Sequence, residues 1–484
     1  MNIELCNIGI VADSTITMDG LTVITGKNNS GKTTVGKTLY SLLDAVCNIQ
    51  QKAKNDRAYY IQKQLENVVS SLEFLRLFRV IRLEQDSSLF ADYPSIQFFA
   101  MRDYRREIPR GEVEEFAHSL ERELKSFDIS LLESVGEFNS YYKYVKSRNP
   151  ESEMTLSAFN EQREKAVSML TKLFCDIDKD IELIDYARES INQSLRVEFS
   201  NQIQPIRVHA EESRIKLFDG KSIYFELAIV DDRVTNDGRP VYNTSPLKRV
   251  YFIDNPFVLD DNSNRRIMRG VEDAEIDTIL NPNRVLSHND KLRFVLRSAK
   301  SPTVLEQTVL DNLQKPVKKQ IDEIIPGTFE FSSSGDYYVQ DGAKLKVSNL
   351  ATGSKIFSII KILLEKGELD ETTMLILDEP EAHLHPEWQN VFAETIILLI
   401  KELGINVLLT THSPNFMLAL DAYMRKHNLE DKTNFYQTNS LDNGFVQYHC
   451  VNDNMGIIYQ DFLQYLSEVK ILRNKYMRDT GQEL

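Results

Sequence analysis

Residues 26–33 read Gly-Lys-Asn-Asn-Ser-Gly-Lys-Thr, and this loop constrains the fold more than any other part of the chain. It matches the phosphate-loop pattern G-x-x-x-x-G-K-[ST] at each fixed position. An apolar, β-branched run at 21–25 precedes it, and residues 33–46 have a helical pattern. Strand, glycine loop and helix direct backbone N–H groups and a helix N-terminus at one anion. The sequence therefore predicts a nucleoside triphosphate site.

Each position of this loop has an expected role. Gly26 and Gly31 allow the tight turn and a close approach of the backbone to the phosphates. Lys32 is expected to neutralise the β- and γ-phosphates, and the Thr33 hydroxyl to hold Mg²⁺. We expect the remaining residues of the loop and of the first helical turn to contact the nucleotide as well, namely Lys27, Asn28, Asn29, Ser30 and Thr34.

Two strand ends near the C-terminus carry the other residues that this chemistry needs. The apolar strand 373–377 ends in Asp378 and Glu379. Asp378 is expected to be the further protein ligand of Mg²⁺, and Glu379 to accept a proton from an attacking water. The strand 406–411 ends in His412, whose imidazole could donate to a γ-phosphate oxygen, although a lone strand-end histidine is more often structural.

The segment 378–386, Asp-Glu-Pro-Glu-Ala-His-Leu-His-Pro, is followed by Thr-Thr-His-Ser-Pro at 410–414. Together they resemble the ABC-type ATPase heads of the SMC, RecF and OLD group. The chain is most similar to the stand-alone AAA-type ATPases of bacterial phage-defence systems, such as the ATPase subunits of Septu and of some retrons. The resemblance covers residues 1–45 and 345–450 with specific motifs.

In the family that the chain resembles, an ABC signature precedes the Asp-Glu strand. The matching segment is Leu-Ala-Thr-Gly-Ser-Lys at 350–355, a glycine turn that opens an apolar helix. The resemblance implies that Thr352, Gly353 and Ser354 bind the γ-phosphate held by the other subunit. Ala351 lacks the hydroxyl expected at its position, so Thr352 or Ser354 would have to supply it. This departure leaves signature-dependent catalysis open.

The resemblance implies an α/β fold, a P-loop NTPase of the ABC-type ATPase head class with a large helical insertion. It further implies an ATPase that uses ATP and Mg²⁺, forms a head-to-tail homodimer or a higher homo-oligomer, and controls a separate effector. An HNH or Toprim nuclease is the expected effector. Two alternatives stay open: a DNA-repair or recombination-type ATPase clamp, and a slow-turnover scaffold that holds a partner inactive.

The pattern along the chain predicts four segments. Residues 1–49 are the N-terminal lobe of the head with the phosphate loop, and 50–200 are a helical insertion. Residues 201–340 mix strands and helices and complete this lobe, and 341–484 form the C-terminal lobe. No apolar heptad persists over three or four repeats, so we expect a compact insertion and not a long coiled-coil arm. The stretch after His412 is too short to add a Toprim domain, which places any nuclease in a partner.

The net charge and the basic clusters limit how this chain could contact nucleic acid. The net charge of −15 argues against a surface that coats nucleic acid over its whole extent, although DNA or RNA contact at a local basic patch stays open. Three basic clusters are candidates: Arg102, Arg105, Arg106 and Arg110; Arg265, Arg266 and Arg269; and Lys470, Arg473, Lys475 and Arg478.

Other sequence features predict a cytoplasmic protein without a membrane segment. The N-terminus has no basic region before an apolar core, and the longest apolar runs are too short to span a bilayer. The four cysteines lie far apart and are expected to be reduced, mostly core thiols. The pair His383 and His385 is weak evidence for a metal site, since no further ligand cluster accompanies it.

Overall fold

The computed structural model describes most of the chain and divides it into two compact units. The described residues are 1–72, 75, 92–100, 108, 110–134, 140, 143–144, 147, 156–177, 182–206, 210–235, 247–260, 286–298, 315–332 and 335–480. Met1–Ile49 and Leu183–Leu484 form one unit, which we call the head. Gln50–Glu182 form the other, which we call the insertion.

Strands occur in the head and helices in both units. The strands are β1 Asn2–Ile8, β2 Val11–Thr17, β3 Leu21–Thr25, β4 Ser213–Asp219, β5 Ser222–Val230, β6 Arg233–Val234, β7 Arg249–Ile253, β8 Thr328–Ser332, β9 Gly335–Gln340, β10 Ala343–Lys346, β11 Thr373–Asp378, β12 Asn406–Thr411, β13 Thr433–Ser440 and β14 Val446–Cys450. The described α-helices are α1 Lys32–Val46, α2 Ile49–Ser70, α3 Pro94–Ala100, α4 Val113–Ser126, α5 Leu156–Ile177, α6 Leu183–Glu198, α7 His288–Arg297, α8 Lys315–Ile324, α9 Thr352–Glu365, α10 Pro386–Leu403, α11 Pro414–Lys426 and α12 Gly456–Thr480. None of these helices is long and apolar enough to cross a membrane.

Eleven strands form the main sheet, in the order β6-β5-β4-β1-β2-β14-β13-β3-β12-β11-β7. Its functional part is the parallel run β13-β3-β12-β11-β7. The carboxyl ends of parallel strands meet at one edge of a sheet, where α/β proteins bind ligands. The phosphate loop, the Asp-Glu pair and His412 each follow one of these strands, so the topology places all three at the same edge.

Both faces of the parallel strands are buried, which explains their continuous apolar runs. In β11, Leu375 and Leu377 belong to the core cluster on one face. Met374 and Ile376 belong to the cluster on the other face, which also contains Val35 and Leu39 of α1. Successive residues of a strand point to opposite faces, so four neighbouring apolar residues serve two cores.

The insertion has its own helical core. Apolar residues at three- and four-residue spacing predict its helices, and nearly all of them are buried: Leu65, Val68, Val69, Leu72, Leu170, Leu173 and Phe174. Glu123 of α4 is also buried, because its carboxylate accepts hydrogen bonds from the backbone N–H groups of Ser95 and Ile96 at 3.1 and 2.9 Å. The carboxylate thereby satisfies the N-terminus of α3. The helical pattern predicted for this region is confirmed in its described part.

Several other predicted elements are confirmed. The apolar runs 222–230 and 249–253 predict two strands and residues 434–451 predict a hairpin, and β5, β7 and the hairpin β13–β14 lie there. Residues 329–347 predict strands around Gly335 and Gly342, and these form a separate sheet of three strands, β10-β9-β8. The predicted breaks at 149–150, 237–238 and 243–246 lie outside the described residues.

Two expectations are wrong. The sequence predicts two strands in residues 1–25, joined by a turn at 19–20, but the structure has three, because a further turn with Gly9 at positive φ separates β1 from β2. The cysteines are free thiols, but of the four only Cys47 is buried, while Cys175 and Cys450 are exposed. Spacing along the chain does not reveal this difference in burial.

Candidate nucleotide site

A cavity of about 860 Å³ lies over the phosphate loop in the head. Five segments of the head line it: Gly9 and Ile10; Asn28, Asn29, Ser30, Gly31, Lys32, Thr33 and Thr34; Phe199, Gln202, Gln204, Pro205 and Ile206; Asp378 and Glu379; and Asn443, Gly444 and Phe445. The cavity is within the usual size range of ligand pockets. The backbone of the glycine loop, two carboxylates and apolar side chains therefore line one cavity.

Two loop positions require glycine for different reasons. A Cβ atom at Gly26 would lie 1.7 Å from the hydroxyl of Thr438 in β13, so no side chain fits there. Gly31 caps α1 with φ 73°, in the left-handed region that favours glycine.

The hydroxyl of Ser30, in the same loop, is buried and has no hydrogen-bond partner among the described residues. A bound phosphate would supply one, so the loop fits a nucleotide.

Lys32 is almost fully buried and is held by the loop itself. Its Nζ donates to the carbonyl oxygens of Gly26 at 3.2 Å and Lys27 at 3.0 Å. It also lies 3.4 Å from Oε1 of Glu379. The ammonium group is thus positioned by three oxygen atoms and stands beside the carboxylate predicted to be the general base.

The predicted magnesium residues Thr33 and Asp378 contact each other. The Thr33 hydroxyl donates to Oδ2 of Asp378 at 2.6 Å, and the hydroxyl of Thr410 donates to Oδ1. The pKa of Asp378 is raised, chiefly by burial and further by the charge of Glu379. The hydrogen bonds from the two hydroxyl groups act in the opposite direction. A hydroxyl and a carboxylate are hard oxygen ligands, which Mg²⁺ prefers, and Mg²⁺ usually completes its octahedron with waters and phosphate oxygens. The donor set therefore fits Mg²⁺.

Glu379 has an unusual backbone that fixes its side chain. Its φ of 49° lies in the left-handed region, a conformation that costs free energy and persists where the surroundings determine it. The surroundings here are β12, since the Glu379 N–H donates to the carbonyl and hydroxyl oxygens of Thr410, each at 3.1 Å. Nδ1 of His412 lies 3.3 Å from Oε1 of Glu379. The carboxylate is 34% exposed and so open to water.

Sequence reasoning missed Asp254, which follows β7. The strand β7 pairs with β11 so that Ile253 is opposite Leu377, which puts Asp254 beside Asp378. The charge of Asp254 raises the pKa of Asp378, after burial and Glu379. The available signal was an apolar strand that ends in an acidic residue, the same pattern that identified Asp378.

Asp254 is anchored by a buried histidine. Nε2 of His288 lies 3.0 Å from Oδ2 of Asp254, and its Nδ1 lies 2.6 Å from Oε2 of Glu198 at the end of α6. Burial lowers the pKa of His288, but the hydrogen bonds and charges of Asp254 and Glu198 outweigh it and raise the pKa to about 9. His288 is therefore a cation at neutral pH, shared by two carboxylates.

This histidine gives the head a predictable pH dependence. A pKa raised from 6.5 to about 9 means that the stabilisation is fully present below pH 6.5 and is lost as the pH rises to about 9. The full effect is about 3 kcal/mol of unfolding free energy. The thermal unfolding temperature of the wild type should fall as the pH rises between these values, and that of His288→Gln should not. The exposed His449→Gln should behave as the wild type, and an unchanged pH profile in His288→Gln would contradict the assignment.

The predicted signature residues lie away from this cavity within one chain. Thr352, Gly353 and Ser354 form the first turn of α9, and none of them is among its lining residues. The residue before the helix is Ala351, whose side chain cannot accept a hydrogen bond from the helix N-terminus. Lys355 points inward: Nζ bonds to Oδ2 of Asp260 at 2.5 Å. The start of this helix is thus left without a side-chain cap.

The two histidines of the segment 382–385 have structural roles. The ring of His383 packs edge-on against Phe257 at 5.7 Å. Nδ1 of His385 accepts a hydrogen bond from the N–H of Glu387 at 3.4 Å and caps α10. In the described part of the chain, no group of three His, Cys, Asp or Glu residues could hold a metal ion.

Only one of the three basic clusters can be described. Lys470, Arg473 and Lys475 are exposed on α12. Arg102, Arg105 and Arg106, and the whole cluster Arg265, Arg266 and Arg269, lie outside the described residues. Nucleic-acid contact therefore stays a prediction.

The fold and the site define a P-loop ATPase with a mixed α/β head. Residues 1–417 match the family described as AAA ATPase domain, and the chain belongs to this family. It is an ATP-binding protein of the ATPase class. No curated protein matches the chain.

Solved SMC heads are similar to the chain at low identity. The SMC head of Thermotoga maritima is 10% identical, covers 93% of this chain and 98% of its own, and has a TM-score of 0.34. An SMC head bound to the C-terminal winged-helix domain of ScpA is 9% identical, covers 94% and 98%, and has a TM-score of 0.39. The Pyrococcus furiosus SMC head with an extended coiled coil, bound to the C-terminal domain of ScpA, is 9% identical, covers 97% and 98%, and has a TM-score of 0.30.

Proposed function

We propose that the head hydrolyses ATP with Mg²⁺ at the carboxyl edge of the parallel strands. One observation carries the proposal: Lys32, Thr33, Asp378, Glu379 and His412 come from three separate strand ends and contact one another there. A lysine and a hydroxyl of the phosphate loop, a carboxylate for Mg²⁺ and a second carboxylate to accept a proton are groups that serve phosphoryl transfer to water, and an imidazole can donate to the γ-phosphate.

The contacts of each side chain suggest its role. Lys32 exchanges its loop carbonyls and Glu379 for phosphate oxygens, which frees the Glu379 carboxylate to accept the proton of the attacking water. Thr33 and Asp378 would hold Mg²⁺, which would supply positive charge against the charge that develops on the phosphates. His412 lies beside Glu379, where its imidazole would donate a hydrogen bond to the γ-phosphate.

We further propose that each active site is shared by two subunits in a head-to-tail dimer. The first turn of α9 has no side-chain cap from Ala351, and the helix N-terminus carries a partial positive charge that favours an anion. In the family that the chain resembles, that anion is the γ-phosphate of the opposite subunit. The two heads would then bury two nucleotides in an isologous interface.

Thr352→Asp tests the shared site without harming the helix. An acidic residue in the first turn stabilises a helix by about 0.3–1 kcal/mol, but it repels an incoming phosphate. We expect unchanged ATP binding by one subunit and about 100-fold slower hydrolysis, the effect of losing an oxyanion-type contact. The uncharged Thr352→Asn is the control. Gly353 is unsuitable for this test, because a Cβ atom there would lie 3.1 Å from the carbonyl oxygen of His383 in the same chain.

Mixing two inactive variants sharpens the test. In a mixed dimer of Thr352→Asp and Lys32→Ala, one composite site carries both defects and the other carries neither. Activity should return in part if one intact site suffices. Wild-type hydrolysis by Thr352→Asp that stays monomeric with ATP would contradict the shared site.

The resemblance supports a role in anti-phage defence, in which ATP-driven dimerisation controls a partner effector, an HNH or Toprim nuclease. Within the chain, β13 and β14 complete the main sheet beside β3 and β2, so this part of the sequence after His412 builds the head itself. A second function, a slow-turnover scaffold, is favoured by one observation, the absent hydroxyl at Ala351. Single-turnover ATPase assays with and without DNA separate them, because a scaffold hydrolyses slowly in both.

A further inference from the structure

Glu381 is a buried carboxyl group that the proposed mechanism leaves unused. It is 2% exposed. Its Oε1 accepts hydrogen bonds from the Thr411 hydroxyl at 2.5 Å and from the backbone N–H of His412 at 3.3 Å. Its Oε2 is buried and has no hydrogen-bond partner among the described residues. A buried, half-satisfied carboxyl group costs free energy, which calls for a functional reason.

Three successive residues at the end of β12 contact residues at the end of β11 and just after it. Thr410 bonds to Asp378, Thr411 bonds to Glu381, and the His412 ring approaches Glu379. The ring is 44% exposed, so its own packing does not fix it strongly. The backbone of His412 is held more firmly, since it follows the paired strand β12 and its N–H donates to Glu381.

On its other side, Glu381 belongs to a tight turn that reaches the signature helix. The N–H of Ala382 donates to the carbonyl oxygen of Glu379 at 3.1 Å, and the N–H of Leu384 donates to that of Glu381 at 2.9 Å. The carbonyl oxygen of His383 lies against Gly353 at the start of α9. The turn therefore connects the start of α9 to the residue that carries the buried carboxyl group.

We propose that Glu381 is a positioning residue that sets His412 against Glu379 and connects it to the turn formed by residues 379–384. The inference rests on the proposed function, since it assigns a task to His412 in hydrolysis. Burial raises the pKa of Glu381, against the hydrogen bonds from Thr411 and from backbone N–H groups that lower it. Glutamine has the same shape as this side chain and keeps an oxygen that can accept both hydrogen bonds.

The first test compares two substitutions of Glu381 by steady-state ATPase kinetics. Glu381→Ala should lower kcat by about 10- to 100-fold with KM for ATP changed less than about twofold, because small misplacements of a reacting group are costly. Glu381→Gln keeps an oxygen that accepts both hydrogen bonds and should stay within about threefold of the wild type. Equal losses in both variants, or no loss in Glu381→Ala, would overturn the proposal.

The second test approaches the same link from Thr411. Thr411→Val removes the hydroxyl without changing the shape, and it should lower kcat as Glu381→Ala does. The Thr411 hydroxyl also accepts a hydrogen bond from the Ser413 N–H at 3.1 Å, so each substitution removes one further contact besides the shared one. The double variant should still lose less than the sum of the two single losses, since both substitutions break the bond between Thr411 and Glu381. Thr395→Val is the matched control, a buried threonine whose hydroxyl donates to Val391 within α10. Additive losses in the double variant would refute the link.

A third measurement does not depend on turnover. Amide hydrogen exchange at His412 should be faster in Glu381→Ala than in the wild type and in Glu381→Gln, because the N–H loses its acceptor. If the wild type proved unable to hydrolyse ATP, the proposed function would fail, and this measurement alone would decide the role of Glu381. Unchanged exchange in Glu381→Ala would overturn that role.

Discussion

Glu379→Gln should slow ATP hydrolysis by roughly 10²–10⁴-fold, the usual effect of losing a general base. The amide has the shape of the carboxylate but cannot accept the proton of the attacking water. Its backbone bonds to Thr410 are unaffected, so the fold should persist. ATP and Mg²⁺ should stay bound, because Lys32, Thr33 and Asp378 remain, and the ATP-bound dimer should accumulate. Single-turnover hydrolysis and nucleotide affinity are the two measurements.

The control for this prediction is Glu387→Gln, which removes the same charge from an exposed position in the first turn of α10. It should hydrolyse ATP at nearly the wild-type rate. Unchanged turnover in Glu379→Gln would assign the base to another group, with His412 the next candidate because its ring lies 3.3 Å from Glu379.

The sequence predicts the position in the fold of those candidate site residues that belong to short local patterns. The phosphate loop, the strand before it and the Asp-Glu pair each combine a short motif with a local pattern. An apolar run predicts a strand, and a strand that ends in a polar residue places that residue at the sheet edge. Lys32, Asp378 and His412 could therefore be assigned to one edge before their contacts were known.

The parts that the sequence does not predict depend on register between distant segments. Asp254 joins the site because β7 pairs with β11, and no local pattern encodes that neighbour. Glu381 faces Thr411 for the same reason, through the pairing of β11 with β12. The pair His383 and His385 is weak evidence for a metal site in the sequence, and in the structure the two side chains make a ring contact and a helix cap.

Lys32→Ala should abolish nucleotide binding. Lys32 is the cation of the loop, and hydrogen bonds to charged groups contribute about 1.5–3 kcal/mol each, so we expect at least about 100-fold weaker ATP affinity. The substitution has a second effect, because Lys32 also lies 3.4 Å from Glu379 and bonds to two loop carbonyls. Removing it leaves a cavity and an unneutralised carboxylate beside the loop.

Lys32→Met separates these effects, since methionine fills most of the space of the lysine stem without its charge. If the cation is what binds phosphate, both variants lose ATP affinity by a similar factor in calorimetric titration. If the loss in Lys32→Ala came from a collapsed loop, Lys32→Met would bind ATP much better. Lys344→Ala removes a lysine that is 56% exposed on β10 and should bind ATP as the wild type does. Affinity close to the wild type in both Lys32 variants would mean that residues 26–33 do not hold the phosphates.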